Sequence, residues 1–95
     1  MPEPTVTVQG TPNPDAAKFT VDRTLVEGGG SNPYFDAASA VDDPLATVLF
    51  TIEGVESLLL AEDFVTVTKS PSASWEDLVP EIEKVIKETL GPADP

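Results

Sequence analysis

Apolar residues in this chain recur first at every second position, then at helical spacing, then at every second position again, and last at helical spacing. That succession limits the fold to short strands with helices packed beside them. Thr5–Gln9 alternates with Val6 and Val8 on one face, and Lys18–Asp22 alternates with Phe19 and Val21 pointing inward. Between them, Gly10-Thr11-Pro12-Asn13-Pro14-Asp15 packs turn-formers too densely for a regular element. The two strands are expected to pair, although their loop is too long for a two-residue hairpin. Pro2 and Pro4 favour an extended start.

Further along, Glu27-Gly28-Gly29-Gly30-Ser31-Asn32-Pro33 reads as a flexible loop. Asp36 is placed to cap a short turn over Ala37–Val41. Asp42-Asp43-Pro44 marks a clearer helix start, with a carboxylate cap and then proline in the first turn. Leu45, Val48, Leu49 and Ile52 follow as one helical stripe that Gly54 ends. Val55–Leu60 and Phe64–Lys69, joined by Ala61-Glu62-Asp63, predict an antiparallel hairpin with Val65 and Val67 sharing a face.

Ser74 and Asp77 resemble a capping box, opening a last helix in which Trp75, Leu78, Val79, Ile82, Val85, Ile86 and Leu90 recur at helical spacing. Gly91-Pro92 stops it. Pro80 falls just past the first turn, where its ring crowds the Glu76 carbonyl and its N–H is missing. The stripe keeps phase across it, so one kinked helix is expected.

These elements predict an α+β fold: a two-layer sandwich with a mostly antiparallel four-stranded sheet and helices packed on it, in the order β-β-α-α-β-β-α. Residues 1–95 are expected to form one domain, with its core at about residues 5–90. The expected core is Val6, Val8, Phe19, Val21, Leu45, Val48, Leu49, Ile52, Val65, Val67, Ile82 and Ile86.

Composition narrows the function. Five Lys and Arg against 17 Asp and Glu give a net charge of −12, with no cysteine and no histidine. So acidic a chain will not hold a nucleic-acid backbone or an anionic membrane by itself. Thiolate and imidazole metal sites, disulfides, a cysteine nucleophile and a histidine-based triad are excluded. The longest purely apolar run is Leu58–Ala61, far short of a membrane span. The first residues look unlike a signal peptide, so a cytoplasmic protein is expected. The acidity suits either a high-salt cytoplasm or a basic partner.

Two segments carry more than turn and strand chemistry. Thr11-Pro12-Asn13-Pro14-Asp15-Ala16-Ala17-Lys18-Phe19 resembles the TPNPNxxKF signature of the Nfu/NifU-type N-terminal domain, and Glu62–Lys69 resembles that family's DDFVTVTK strand. Gly28–Asp36, Asp43-Pro44-Leu45, Phe50–Val55, Trp75, Leu78 and Pro80-Glu81-Ile82 resemble its glycine loop, central helix, FxIPGV turn and closing helix. Asp15 replaces the family's usual Asn, and Glu53 stands where Pro is common.

The resemblance implies a non-catalytic accessory domain of iron–sulfur cluster assembly, working with a cysteine-bearing scaffold or a client protein. In larger members of the family a following domain with a C-x-x-C motif holds the cluster. With no cysteine here, no cofactor is expected on this chain, and the iron–sulfur cluster is implied only on a partner. A monomer or weak dimer is expected.

On the resemblance, Pro12, Asn13, Asp15 and Lys18 are the candidate partner contacts, since loops on rigid scaffolds favour recognition. The bland alternative is a rigid connector, with Lys18 pairing a neighbouring carboxylate. No catalytic residue and no metal ligand is expected. Asp36, Asp42 and Asp43, and separately Glu62 and Asp63, have helix-capping and turn roles but lack the spacing of a hard-cation loop. The Gly28–Ser31 stretch lacks the spacing and lysine of a phosphate loop. Trp75 reads as a partly buried anchor, with Tyr34, Phe35 and Trp75 alternatively serving as recognition aromatics. Two rival readings are a small acidic cation-binding domain and a structural homo-oligomeric subunit.

Overall fold

A computed structural model describes residues 5–22, 24–26 and 30–90. The expectations for Pro2, Pro4, Glu27–Gly29 and Gly91-Pro92 fall outside them. Strands β1 (Val6–Gly10), β2 (Ala16–Val21), β3 (Asn32–Tyr34), β4 (Val55–Ala61) and β5 (Phe64–Lys69) form one sheet in the order β1-β2-β5-β4-β3. Every neighbouring pair is antiparallel. Helices α1 (Pro44–Leu49) and α2 (Trp75–Leu90) accompany it, with a 3₁₀ turn at Ala38–Ala40.

Register makes the alternating residues into layers. Val8 lies opposite Phe19, Phe19 opposite Val65, and Val65 opposite Leu60. Ala17, Val67 and Leu58 form the next row. Against these rows pack Leu45 and Leu49 of α1 and Leu78, Ile82 and Ile86 of α2, in one cluster. Phe19, Leu49, Leu60, Val65, Val67, Ile82 and Ile86 are fully buried. Nine of the twelve expected core residues are buried, while Val6, Val8 and Val48 pack against the core at its margin. The opposite face carries Thr7, Gln9, Lys18, Thr20, Leu59, Phe64 and Thr66, none of them buried.

Two details depart from the sequence reading. The sheet has five strands, not four, because Asn32–Tyr34 pairs with β4 where a flexible loop was expected. An edge strand bonds on one side only, so Pro33 costs the ladder nothing there, and Tyr34 gains contact with the core. Helix α1 ends at Leu49, before the end of its apolar stripe. The N–H groups of Thr51 and Ile52 reach back three residues, to Val48 and Leu49, and Gly54 turns the chain at φ +101°. That φ suits glycine, and a β-carbon there would also meet the Ala73 side chain at 3.0 Å.

The first helix start follows the expected chemistry. At the second, Ser74 caps without the reciprocal Asp77 bond of a capping box, the Asp77 N–H going to the Ser74 carbonyl at 3.1 Å. The Asp43 carboxylate accepts the Ala46 N–H at 3.1 Å, and the Ser74 hydroxyl accepts the Glu76 N–H at 3.3 Å. Helix α2 runs unbroken through Pro80, which is exposed.

Candidate interaction site

The Thr11–Asp15 loop, between edge strand β1 and β2, is closed by its own polar groups. The Thr11 hydroxyl accepts the Asn13 N–H at 3.1 Å and approaches the Asn13 and Ala16 carbonyls at 2.9 and 3.0 Å. The Asn13 side-chain oxygen accepts the Asp15 N–H at 2.9 Å, an Asx turn. With Pro12 and Pro14 limiting φ, little freedom is left.

Two distant side chains brace the loop from below. Lys69, at the end of β5 and only 7% exposed, donates from Nζ to the Asp15 carboxylate at 3.1 Å and to the Ser70 carbonyl at 3.3 Å. Its N–H also bonds the Asp15 carbonyl at 2.7 Å. The Trp75 indole N–H donates to the Pro14 carbonyl at 2.9 Å. The Trp75 ring lies 6.3 Å from Phe19 and 5.8 Å from Lys69 Nζ. An open groove of about 270 Å³ remains between loop and helix, walled by Val8, Gly10, Thr11, Pro14, Trp75 and Val79 among others. Among the described residues no side chain that titrates near neutral pH lines it.

Of the four candidate residues, Pro12, Asn13 and Asp15 share this loop, and Lys18 does not. Pro12 and Asn13 are exposed, whereas Asp15 is engaged by Lys69. Lys18 stands on the open sheet face with Nζ 4.3 Å from the centre of the Phe64 ring, and forms no ion pair among the described residues. Sequence reading missed Lys69 as the brace, although a signal was present. Lys69 is in phase with inward Val65 and Val67, and a lysine facing inward requires an anion beside it.

Some of the acidic residues have local roles. The Asp36 carboxylate accepts the Ser39 N–H at 2.8 Å. Glu62 and Asp63 turn β4 into β5, and their carbonyls accept N–H groups from Val21, Leu25 and Val26. Among the described residues, no three Asp or Glu converge as a metal site. Tyr34 has its phenol pKa raised above the ordinary 10.0, by burial first and then by the Asp43 carboxylate 3.3 Å from its hydroxyl.

Fold and loop together define a two-layer α+β domain with one open sheet face and a braced surface loop. The chain belongs to the family described as scaffold protein Nfu/NifU N terminal, whose model matches residues 6–92. NifU-like protein 5, mitochondrial, of Arabidopsis thaliana is 34% identical over 90 residues, covering 95% of this chain and 32% of that protein. The NFU1 iron-sulfur cluster scaffold homolog, mitochondrial, of Drosophila persimilis is 36% identical over 81 residues, covering 85% and 29%.

Among solved structures, a NifU-like protein from Saccharomyces cerevisiae superposes with a TM-score of 0.80 at 26% identity, covering 93% of this chain and 79% of that one. Protein SAV1430 from Staphylococcus aureus superposes at 0.74 with 30% identity, covering 85% and 96%. The chain thus spans about a third of the length of these curated relatives. They also contradict the expected cytoplasmic location, since both relatives are named mitochondrial.

Proposed function

We propose that this domain is a non-catalytic interaction unit of iron–sulfur cluster assembly, contacting a cysteine-bearing scaffold or a client protein. The family match over residues 6–92, in a sequence without cysteine or histidine, carries the proposal. Clusters are held by thiolates, with histidine as the alternative, so these residues supply no cluster ligand of that kind. The Pro12–Asp15 loop is the first candidate contact. Its backbone is held before a partner arrives, which reduces the ordering entropy lost on binding. Asn13 offers its side-chain NH₂, because only its oxygen is used within the loop. Lys18 makes a second candidate contact on the open sheet face.

Anaerobic incubation with iron and sulfide tests the first half. The protein is expected to show no visible-range cluster absorbance, and a stable cluster would overturn the reading. Addition of a cysteine-bearing scaffold tests the second half by NMR. Shifts at residues 12–15 and at Lys18 are expected, and shifts confined to other surfaces would refute this contact.

A further inference from the structure

From Phe35 to Asp42 every residue is exposed except Ala40. Phe35 is 75% and Val41 70% exposed, and apart from Leu59 at 36% no other large apolar side chain among the described residues is so open. Each is followed by acid: Asp36 after Phe35, and Asp42 and Asp43 after Val41. From Thr24 to Thr68 the sequence has eight carboxylates and no lysine or arginine. Asp36, Asp42 and Asp43 form no ion pair among the described residues.

The segment is held in shape. Ser39 gives its hydroxyl to the Asp36 carbonyl at 2.8 Å, and its N–H to the Asp36 carboxylate. Buried Ala40 anchors the 3₁₀ turn, and its carbonyl accepts the Thr47 hydroxyl at 2.6 Å and the Asp43 N–H at 3.0 Å. Phe35 and Val41 therefore project from a fixed frame rather than from a chain free to fold them inward.

We propose that the Phe35–Asp43 segment is a docking surface for a basic, apolar-bearing segment of a partner protein, the apolar groups covering Phe35 and Val41 and the cations meeting Asp36 and Asp42. Charge complementarity selects this occupant. A second copy of the chain would bring its own −12 charge to the contact, whereas a cationic segment gains from the field and arrives faster. Apolar anchors within a polar rim follow the usual division of an interface. The surface lies outside the Pro12–Lys18 region, and its occupancy does not depend on the iron–sulfur reading.

The test titrates labelled protein with a synthetic amphipathic Leu/Lys peptide and with a Ser/Lys peptide of equal charge. Shifts on residues 35–43 with the Leu/Lys peptide are expected. Binding is expected to weaken about tenfold or more in the double variant Phe35→Ser, Val41→Ser. Both side chains are exposed, so that variant should melt near the parent temperature. Asp36→Asn with Asp42→Asn should flatten the salt dependence. Equal binding of both peptides, or full affinity in the serine variant, would overturn the proposal. So would self-association in sedimentation that the serine variant abolishes, because the occupant would then be a second copy.

Discussion

Replacing Asp15 by Asn tests whether a buried cation locks the candidate loop. The substitution keeps the shape of the side chain and removes its charge. Lys69, 7% exposed, would then face a neutral amide oxygen in place of its carboxylate, beside the Ser70 carbonyl at 3.3 Å and the Trp75 face at 5.8 Å. Hydrogen bonds to charged groups contribute about 1.5–3 kcal/mol. The Asp15 side chain is 36% exposed, so water offsets part of that, leaving a cost of about 1–2 kcal/mol. For a domain this small, Tm should fall by roughly 4–16 °C.

Lys69→Met should cost less, about 0.5 kcal/mol or under, because it removes the buried charge along with its partner's role. Methionine also fills the space of the lysine stem. Unfolding followed through the single tryptophan measures both variants, and amide exchange at residues 11–16 reports whether the loop loosens. If Lys69→Met proves as costly as Asp15→Asn, the ion pair itself stabilises the loop and the reasoning from a stranded charge fails. If Asp15→Asn costs nothing, the brace is idle.

Leu49→Ala or Ile82→Ala, each removing a fully buried side chain, should cost about 2–5 kcal/mol in denaturant unfolding; losses under half a kcal/mol at both would remove them from the core. Melting temperature should rise between 0.01 and 1 M NaCl, as the Debye length drops from about 30 to about 3 Å and repulsion within a −12 chain is screened. Tyr34 should ionise above pH 10, with the midpoint moving down in Asp43→Asn, as read by tyrosinate absorbance. Because its folded pKa is raised, its contribution to stability is complete below pH 10 and lost as pH climbs through the folded pKa.

Much of this was legible because periodicity reports burial directly. Phe19 and Val21, Val65 and Val67, and the α2 stripe each needed a hidden face, and the sheet register gives them the same one. Strand β3 was not legible, since three residues are too few for a period and its proline and glycine neighbours signal a turn. Its formation comes from a neighbour: β4 offers a free edge, and Asn32–Tyr34 takes it. For the candidate site, the loop's density of turn-formers was plain. Its fastening to Lys69 and Trp75, 54 and 61 residues away, was not, because long-range bonds leave no local pattern.

Strand order separates the two candidate surfaces. The Pro12–Asp15 loop leaves edge strand β1, and the Phe35–Asp43 segment leaves β3 at the other edge, with β2, β5 and β4 between them. Four inter-strand steps of about 4.8 Å put roughly 19 Å between those edges. Helix α2 repeats the separation. Trp75 at its start bonds the first loop, while Thr89 and Leu90 at its end line a hollow with Asp43, Pro44 and Leu45. Sixteen residues at about 1.5 Å each give some 24 Å. A short peptide on Phe35 and Val41 therefore leaves the proline loop open, and a folded partner on that loop reaches the acidic segment only by extending across the whole sheet. The two candidate surfaces, one neutral and pre-formed and the other acidic with apolar anchors, thus lie at opposite edges of the sheet.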